Sequence, residues 1–393
     1  MHTTSPHIAV RARRAVRAMF FLNGFVVGSW APQIPPLVER LGIDKATLGL
    51  LILGFGAGAL TMMPIAGILL SRRQSRDVVV GFAAAVVVSI LVVSASSHLA
   101  VTALAMYLFG GVVGAMDVAM NANAVSVERA LGRPIMSASH GFWSLGGFVG
   151  GAIGGFAIEQ VGALAHGAMV AAVTLPMLVA GAPHLIGGDR PPVAEGGRRM
   201  SLPRDPKIYL IGLIALLCMI PEGAVLDWAA LYLQNERGAS LATAGMAFAV
   251  FSATMALMRF AGDRVRDRFG AVATMRVSTL VAAAGMLAAG LSPWPWLAIA
   301  AFGIAGLGIA NVVPIIFSAA GNHPGLSSGT GMSVVTTMGY SGILVAPSAI
   351  GLAAQVVGLA PIYVAVAVVM AAVSLSAGLV RYADFKGNGT SAS

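Results

Sequence analysis

Apolar residues run along this chain in long stretches, separated by short segments that hold nearly all of its charge. About 20 apolar residues in a helix cross the roughly 30 Å of bilayer hydrocarbon, at about 1.5 Å per residue. Twelve such stretches use nearly the whole chain: 16–38, 46–70, 78–97, 99–127, 137–158, 164–186, 208–233, 241–261, 272–291, 296–319, 329–357 and 361–382. The expected fold class is an all-α membrane protein of twelve transmembrane helices.

The polar punctuation repeats. After the second stretch comes Gly67-Ile-Leu-Leu-Ser71-Arg72-Arg73-Gln-Ser-Arg76, and 196 positions later (267 minus 71) comes Gly262-Asp263-Arg264-Val-Arg266-Asp267-Arg268-Phe-Gly270. Gly49 and Phe55 match Gly245 and Phe251 at the same offset, and Asn23-Gly24 with Ser29-Trp30-Ala31 parallels Glu222-Gly223 with Asp227-Trp228-Ala229. One six-helix unit has been duplicated, giving two pseudo-symmetric halves. The expected organisation is a tail over 1–15, a first half over 16–186, a Gly-, Pro- and Arg-rich linker over 187–207, a second half over 208–382 and a tail over 383–393.

Only 10% of residues are charged and 58% are apolar, against roughly a quarter charged in a soluble domain. The net charge of +9 suggests nucleic acid until its distribution is considered. With the N-terminus in the cytoplasm, 21 of 24 Lys and Arg fall on that side, leaving Arg40, Lys45 and Arg237 opposite. This is the positive-inside asymmetry of a multi-pass inner (plasma) membrane protein with both termini cytoplasmic. Attraction to anionic lipid is secondary, and nucleic acid is not expected as a partner. The basic run Arg11, Arg13, Arg14 and Arg17 is that of a first span and not of a secretory signal, because the apolar stretch after it is long, carries Trp30 and has a counterpart in the seventh span. The single Cys218 excludes an intramolecular disulfide, and no histidine grouping supports a metal site. No Gly-x-x-x-x-Gly-Lys-Ser/Thr run is present, so no nucleotide cofactor and no ATP hydrolysis are expected.

With twelve stretches, a central basic loop and paired loops after spans two and eight, the chain resembles the major facilitator superfamily over its full length. The family's loop signature is roughly Gly-x-Leu-x-Asp-Arg-x-Gly-Arg. Val265, Asp267, Arg268 and Gly270 match it, although Asp263 holds the leading glycine position and Ala271 replaces the final Arg. Gly67, Leu69 and Arg72 match in the first half, but Ser71 replaces the acid and Gln74 the glycine. The resemblance implies a cytoplasmic latch from Gly67, Arg72, Arg73, Asp263, Arg264, Asp267, Arg268 and Gly270, with the first copy weaker. Asn121-Ala-Asn123 and the segment from Glu222 to Trp228 resemble the fucose-permease-like branch.

Without ATP, uphill transport needs an ion gradient, and ionisable groups at membrane depth are where to look. Asp117 in the fourth span and Glu222 in the seventh fall near the midplane, with Asp227 a little over one turn further out. A carboxylate there costs at least about 2.5 to 3.5 kcal/mol, so each should face a cavity or a partner. All three are candidates for proton coupling; the alternative is a neutral carboxyl joining two helices. Candidates for substrate contact are Asn23, Trp30, Asn121, His140, Trp143, Trp228, Tyr232 and Asn311, since amides and rings suit a small polar, sugar-like solute. The alternative is that amides join helices and tryptophans mark the interface. His140 lies close to the cytoplasmic start of its span, which favours an interfacial histidine over a relay.

The fifth span carries Gly146-Gly147, Gly150-Gly151 and Gly154-Gly155, two adjacent glycine ridges on one helix face. It lacks the Gly-Pro of an antiporter signature in the superfamily, which favours symport. The expectation is a monomeric, proton-coupled secondary transporter, not an enzyme, that takes up a small polar metabolite by alternating access. Proton-linked efflux of a drug or metabolite is the runner-up, and a non-transporting membrane sensor is disfavoured for want of a soluble output domain.

Overall fold

In the computed structural model, which describes residues 6–131, 135–187, 204–324 and 328–383, every regular element is a helix. The expected linker, over 188–203, and the ends of both tails lie outside the described residues, as does the Asp263 side chain. The helices of the first half are α1 (Pro6–Trp30), α2 (Ile34–Leu41), α3 (Lys45–Arg72), α4 (Ser75–Ala95), α5 (Leu99–Leu131) and α6 (Met136–Gly181). Those of the second are α7 (Pro206–Arg237), α8 (Leu241–Phe269), α9 (Ala271–Leu291), α10 (Pro295–Ile309), α11 (Val312–Gly321), α12 (Ser328–Val357) and α13 (Ala360–Leu375).

Local chemistry sets the ends of these helices, and it does so twice. Gly42 and Gly238, 196 apart (238 minus 42), close α2 and α7 at φ of 60° and 66°, the left-handed conformation that glycine adopts without steric penalty. Two residues on, Asp44 accepts from the Thr47 amide at 2.8 Å and Ser240 from the Thr243 amide at 3.2 Å, capping α3 and α8. The Arg40 guanidinium holds Ser96 O at 2.9 Å at the end of α4, and Arg237 holds Ser292 O at 2.6 Å at the end of α9. Two of the three cations assigned to the outer side are therefore helix clamps.

Nine helices among the described residues are long and apolar enough to cross a membrane, or ten if α13 and the short helix Ala377–Ala383 count as one bent span. The 46 residues of α6 would reach about 70 Å if straight, twice the hydrocarbon thickness. They do not run straight: Gly162 breaks the helix at φ 83°, and Gly358, 196 positions on (358 minus 162), separates α12 from α13 at φ 81°. The fourth and tenth stretches differ: α5 is continuous, whereas α10 and α11 part at Ala310 and Asn311, just before Pro314, whose ring nitrogen has no hydrogen to donate.

Large apolar side chains cover the outside, among them Leu104 (60% exposed), Leu257 (67%) and Val356 (85%). A surface this apolar calls for lipid as its solvent. Inside, the two halves meet along α6 and α8. Gly146 and Gly150 lie against the Phe21 and Phe25 carbonyls of α1, where an added Cβ would come within 2.2 and 2.4 Å. The adjacent ridge, Gly147, Gly151 and Gly155, faces Ser252, Ala249 and Leu241 of α8 in the other half. At the end away from the basic loops, the Lys45 carbonyl and Gly49 press on Gly351 of α12, Lys45 Nζ lies 3.3 Å from Glu236, and Gln355 donates to Asp44 at 3.3 Å. Among the described residues, no hydrogen bond or ion pair joins α3 to α12 at the basic end.

Candidate functional site

Helices rich in glycine pack closely at their ends and leave space where large side chains stand inward. Between the halves lies a cavity of about 280 Å³, large enough for a small organic solute. Of the residues singled out in the sequence, Asn23, Trp30, Asp117, His140, Trp143, Glu222 and Asp227 line it. They come from α1, α5, α6 and α7, helices brought together by the duplicated packing.

The first half supplies an aromatic and amide wall. The Trp143 indole NH donates to Asn23 Oδ1 at 2.9 Å, and Asn23 Nδ2 reaches Val113 O at 3.5 Å. Phe109 meets Phe55 and Trp30 edge-on, with ring centroids 5.2 and 6.1 Å apart. Asp117 sits in this wall and accepts from Asn121 Nδ2 at 3.2 Å; the same amide donates to Asp117 O at 2.8 Å. Asn121 thus supports Asp117 from one turn away and does not itself line the cavity.

The second half supplies most of the charge. Glu222 follows Pro221 on α7, and its Oε2 lies 3.8 Å from Arg259 Nη2 of α8. Arg259 Nη1 also donates to Ser144 Oγ at 2.7 Å, while Ser252 Oγ, two turns earlier on α8, donates to Ser144 O at 2.8 Å. One guanidinium therefore spans α6, α7 and α8 and joins both halves. His140 stands beside it and packs on Phe20, with centroids 5.1 Å apart. Tyr340 of α12 lies within electrostatic reach of Asp117 and Glu222, and Asp227 lies near the Trp30 indole across the seam.

Arg259 and Tyr340 are absent from the sequence-derived candidates. Arg259 stands eight residues (267 minus 259) before Asp267, within the eighth apolar stretch, and counts among the 21 cations of the basic side in the charge tally. It lines the cavity. His140 lines the cavity as well.

Three further candidates lie elsewhere. Trp228 is 1% exposed and packs on Gly351, with no partner for its indole NH. The Tyr232 hydroxyl donates to Ala289 O at 2.7 Å, and its ring joins Phe302, Tyr363 and the Arg237 guanidinium in a packed group. Asn311 marks the break between α10 and α11, with its amide against Gly262.

The doubled loops lie at the basic end. Ser71 Oγ bonds back to Ile68 O of its own helix at 2.7 Å, and Gly67 has open space around it. Arg72 ends α3, and Arg73 turns the chain out of it in an extended conformation. In the second copy Arg266 binds Ser318 Oγ at 3.0 Å and also the Ala383 carbonyl. Arg264 and Asp267 are exposed, Arg268 lies over Phe269, and Gly270 turns into α9 at φ 78°.

The family model of the Major Facilitator Superfamily matches residues 18–347 and 211–391. An uncharacterized MFS-type transporter of Yersinia pestis is 35% identical over 357 residues, covering 90% of this chain and 92% of that protein. Membrane protein MosC of Rhizobium meliloti is 34% identical over 352 residues, covering 87% of this chain and 83% of MosC. The fold is similar to that of the nucleoside transporter NupG, with a TM-score of 0.71 at 12% identity over 94% of this chain and 98% of NupG. It is also similar to a bacterial homologue of the lysosomal transporter Spinster in an inward-facing, unoccupied conformation, with a TM-score of 0.70 at 16% identity over 96% and 98% of the two chains. With an apolar exterior, paired halves and a polar cavity between them, the chain belongs to the major facilitator superfamily and is a multi-pass membrane transporter.

Proposed function

We propose that the protein is a secondary transporter that moves a small polar solute together with protons by alternating access, in the direction of uptake. The observation that carries this reading is the cavity between the halves, whose lining holds three carboxylates and one guanidinium. Such groups are costly in hydrocarbon and are retained where charge must be moved. Glu222 is held only loosely by Arg259, at 3.8 Å, so a proton on Glu222 would release a guanidinium that also grips the first half through Ser144. Protonation would thereby bear on the seam along which the halves rock.

We read the chain as twelve spans. Gly162 and Gly358 act as matching outer turns, α10 with α11 forms one broken span, and α1 is the first span. With the basic loops in the cytoplasm of an inner-membrane protein, the joined end at Lys45, Glu236 and Gln355 is the outer one, and the arrangement is inward-facing. The doubled basic loops would then be a latch that engages when the cytoplasmic ends approach. The resemblance to the fucose-permease-like branch supports a small metabolite as the solute. A monomer suffices, since the cavity is built from one chain.

The test is reconstitution of the full chain in vesicles with an internal pH-sensitive dye. Addition of a carried solute is expected to drive proton entry, and an imposed acid-outside gradient to drive accumulation. The Asp117→Asn/Glu222→Gln double variant should show neither. Vesicles that move no solute from a broad panel of small metabolites, or a double variant that behaves as wild type, would overturn the reading.

A further inference from the structure

The cavity wall is lopsided in charge. Of its side-chain donors, Trp143 bonds Asn23 at 2.9 Å, Asn23 bonds Val113 O at 3.5 Å and one Arg259 nitrogen bonds Ser144 at 2.7 Å, while His140 and Tyr340 also line it. Its carboxylates have acceptor sites to spare. A carboxylate offers about four lone-pair sites. Asp117 receives one side-chain bond, from Asn121 at 3.2 Å, and Glu222 has the Arg259 contact at 3.8 Å. Asp227 lies near the Trp30 indole. Three carboxylates thus share the cavity lining with one guanidinium, and the Phe55, Phe109 and Trp30 rings line it too; the faces of such rings carry negative partial charge. A neutral polyol would gain nothing from the excess of carboxylates, and an anion would be repelled. Charge and ring faces together select a positive, donor-rich guest.

Resting on the reading of this cavity as the transport site, we propose that the solute is an organic cation, a small molecule with a protonated amine on an apolar or ring-shaped body. The amine is held by Asp117 and Asp227, the two carboxylates that Arg259 does not engage. The body lies against the ring wall of the first half, and the Glu222–Arg259 pair is left to carry the proton. Solute and proton then occupy different carboxylates, so both can be bound at once.

Three probes of nearly equal size separate the alternatives: benzylamine, benzyl alcohol and benzoate. Their binding to the purified full chain can be read from thermal stabilisation and from fluorescence of Trp30 and Trp143 in the cavity wall. Benzylamine is expected to bind about tenfold more tightly than benzyl alcohol, with benzoate weakest, and the amine advantage should shrink in Asp117→Asn and in Asp227→Asn. Equal or tighter binding of the alcohol or the benzoate, no binding by any probe, or an undiminished advantage in both variants would overturn the proposal. The wild-type ranking alone decides if a variant fails to fold. Proton-linked flux of a neutral solute would sink this inference and leave the transporter reading standing. Amine binding without any flux would do the reverse.

Discussion

The first and seventh spans carry matching patterns, Asn23 to Ala31 and Glu222 to Ala229, yet they handle polarity in opposite ways. Asn23 is neutral, 1% exposed and bonded through both ends of its amide. Its counterpart Glu222 keeps 29% of its side chain exposed and meets Arg259 at 3.8 Å. Trp30 lines the cavity, whereas Trp228 is packed away from it. Duplication supplied the same scaffold twice, and divergence made one copy a fixed wall and the other a holder of movable charge. A buried amide that is fully bonded rigidifies its surroundings, while a loosely held ion pair has a second state within reach.

The largest expected effect follows from that contrast. Arg259→Gln should reduce proton-driven accumulation by about 5- to 150-fold, the range of typical coupling free energies. Glu222→Gln should do the same, and the double variant should be little worse than either single one, because both act on one pair. Asn23→Ala should lower thermal stability by about 1–3 kcal/mol, since the buried Trp143 NH loses its partner, yet leave the pH dependence of transport intact. Flux against pH in vesicles, beside thermal unfolding, checks both halves of the statement. A pH profile altered by Asn23→Ala and left alone by Arg259→Gln would invert the assignment of fixed and movable walls.

The doubled loops give a smaller contrast of the same kind. Gly270 opens α9 at φ 78° and ψ 162°, a region essentially closed to residues with a Cβ, while its mate Gln74 opens α4 at φ −67° and ψ 143°. Gly270→Ala should therefore cost on the order of 1–3 kcal/mol, and Gln74→Gly less than about 1 kcal/mol. Thermal unfolding of the two variants side by side measures the difference. Equal losses would mean that both loops tolerate the same backbone and that their divergence concerns side chains alone.

These contrasts also show what a sequence reader can and cannot see. A carboxylate or amide at membrane depth is costly wherever it does not face a cavity or a partner, so cost alone points to Asn23, Asn121, Asn311, Asp117, Glu222 and Asp227; Asn23 and the three carboxylates line the cavity, whereas Asn121 supports Asp117 and Asn311 marks a helix break. The cost rule says nothing of direction on a helix that is apolar all round. Trp228 and Tyr232 lie one and five residues beyond Asp227 and turn into packed surroundings, which no periodicity in α7 announces. Arg259 lies within the eighth apolar stretch, close to its basic end, and was lost by counting charges per side. The turn at Gly162 has its signal in Gly358 at the repeat offset, a pair that stands out only once positive φ is observed at both. For Tyr340 no comparable signal exists, because its partners Asp117 and Glu222 lie far away in sequence and only packing unites them.

The smallest effect concerns the caps that both halves share. Asp44 and Ser240 do the same local work, each accepting an amide bond three residues on, but only Asp44 is charged and only Asp44 reaches the other half, through Gln355. The bond from Thr47 holds the Asp44 carboxyl below the usual carboxylate range. A carboxyl whose folded value is depressed stabilises the fold above its unfolded value, about 3.9, and loses that contribution as pH falls through the folded one. Ser240→Ala should thus lower stability by about 1 kcal/mol with no dependence on pH in the acid range. Asp44→Ala should lower the unfolding temperature near neutral pH and less so as the medium is taken to about pH 3. Thermal unfolding of both variants at the two pH values decides it: a penalty for Asp44→Ala that does not change with pH would mean that the cap works through its shape and that its charge contributes nothing to the outer seam.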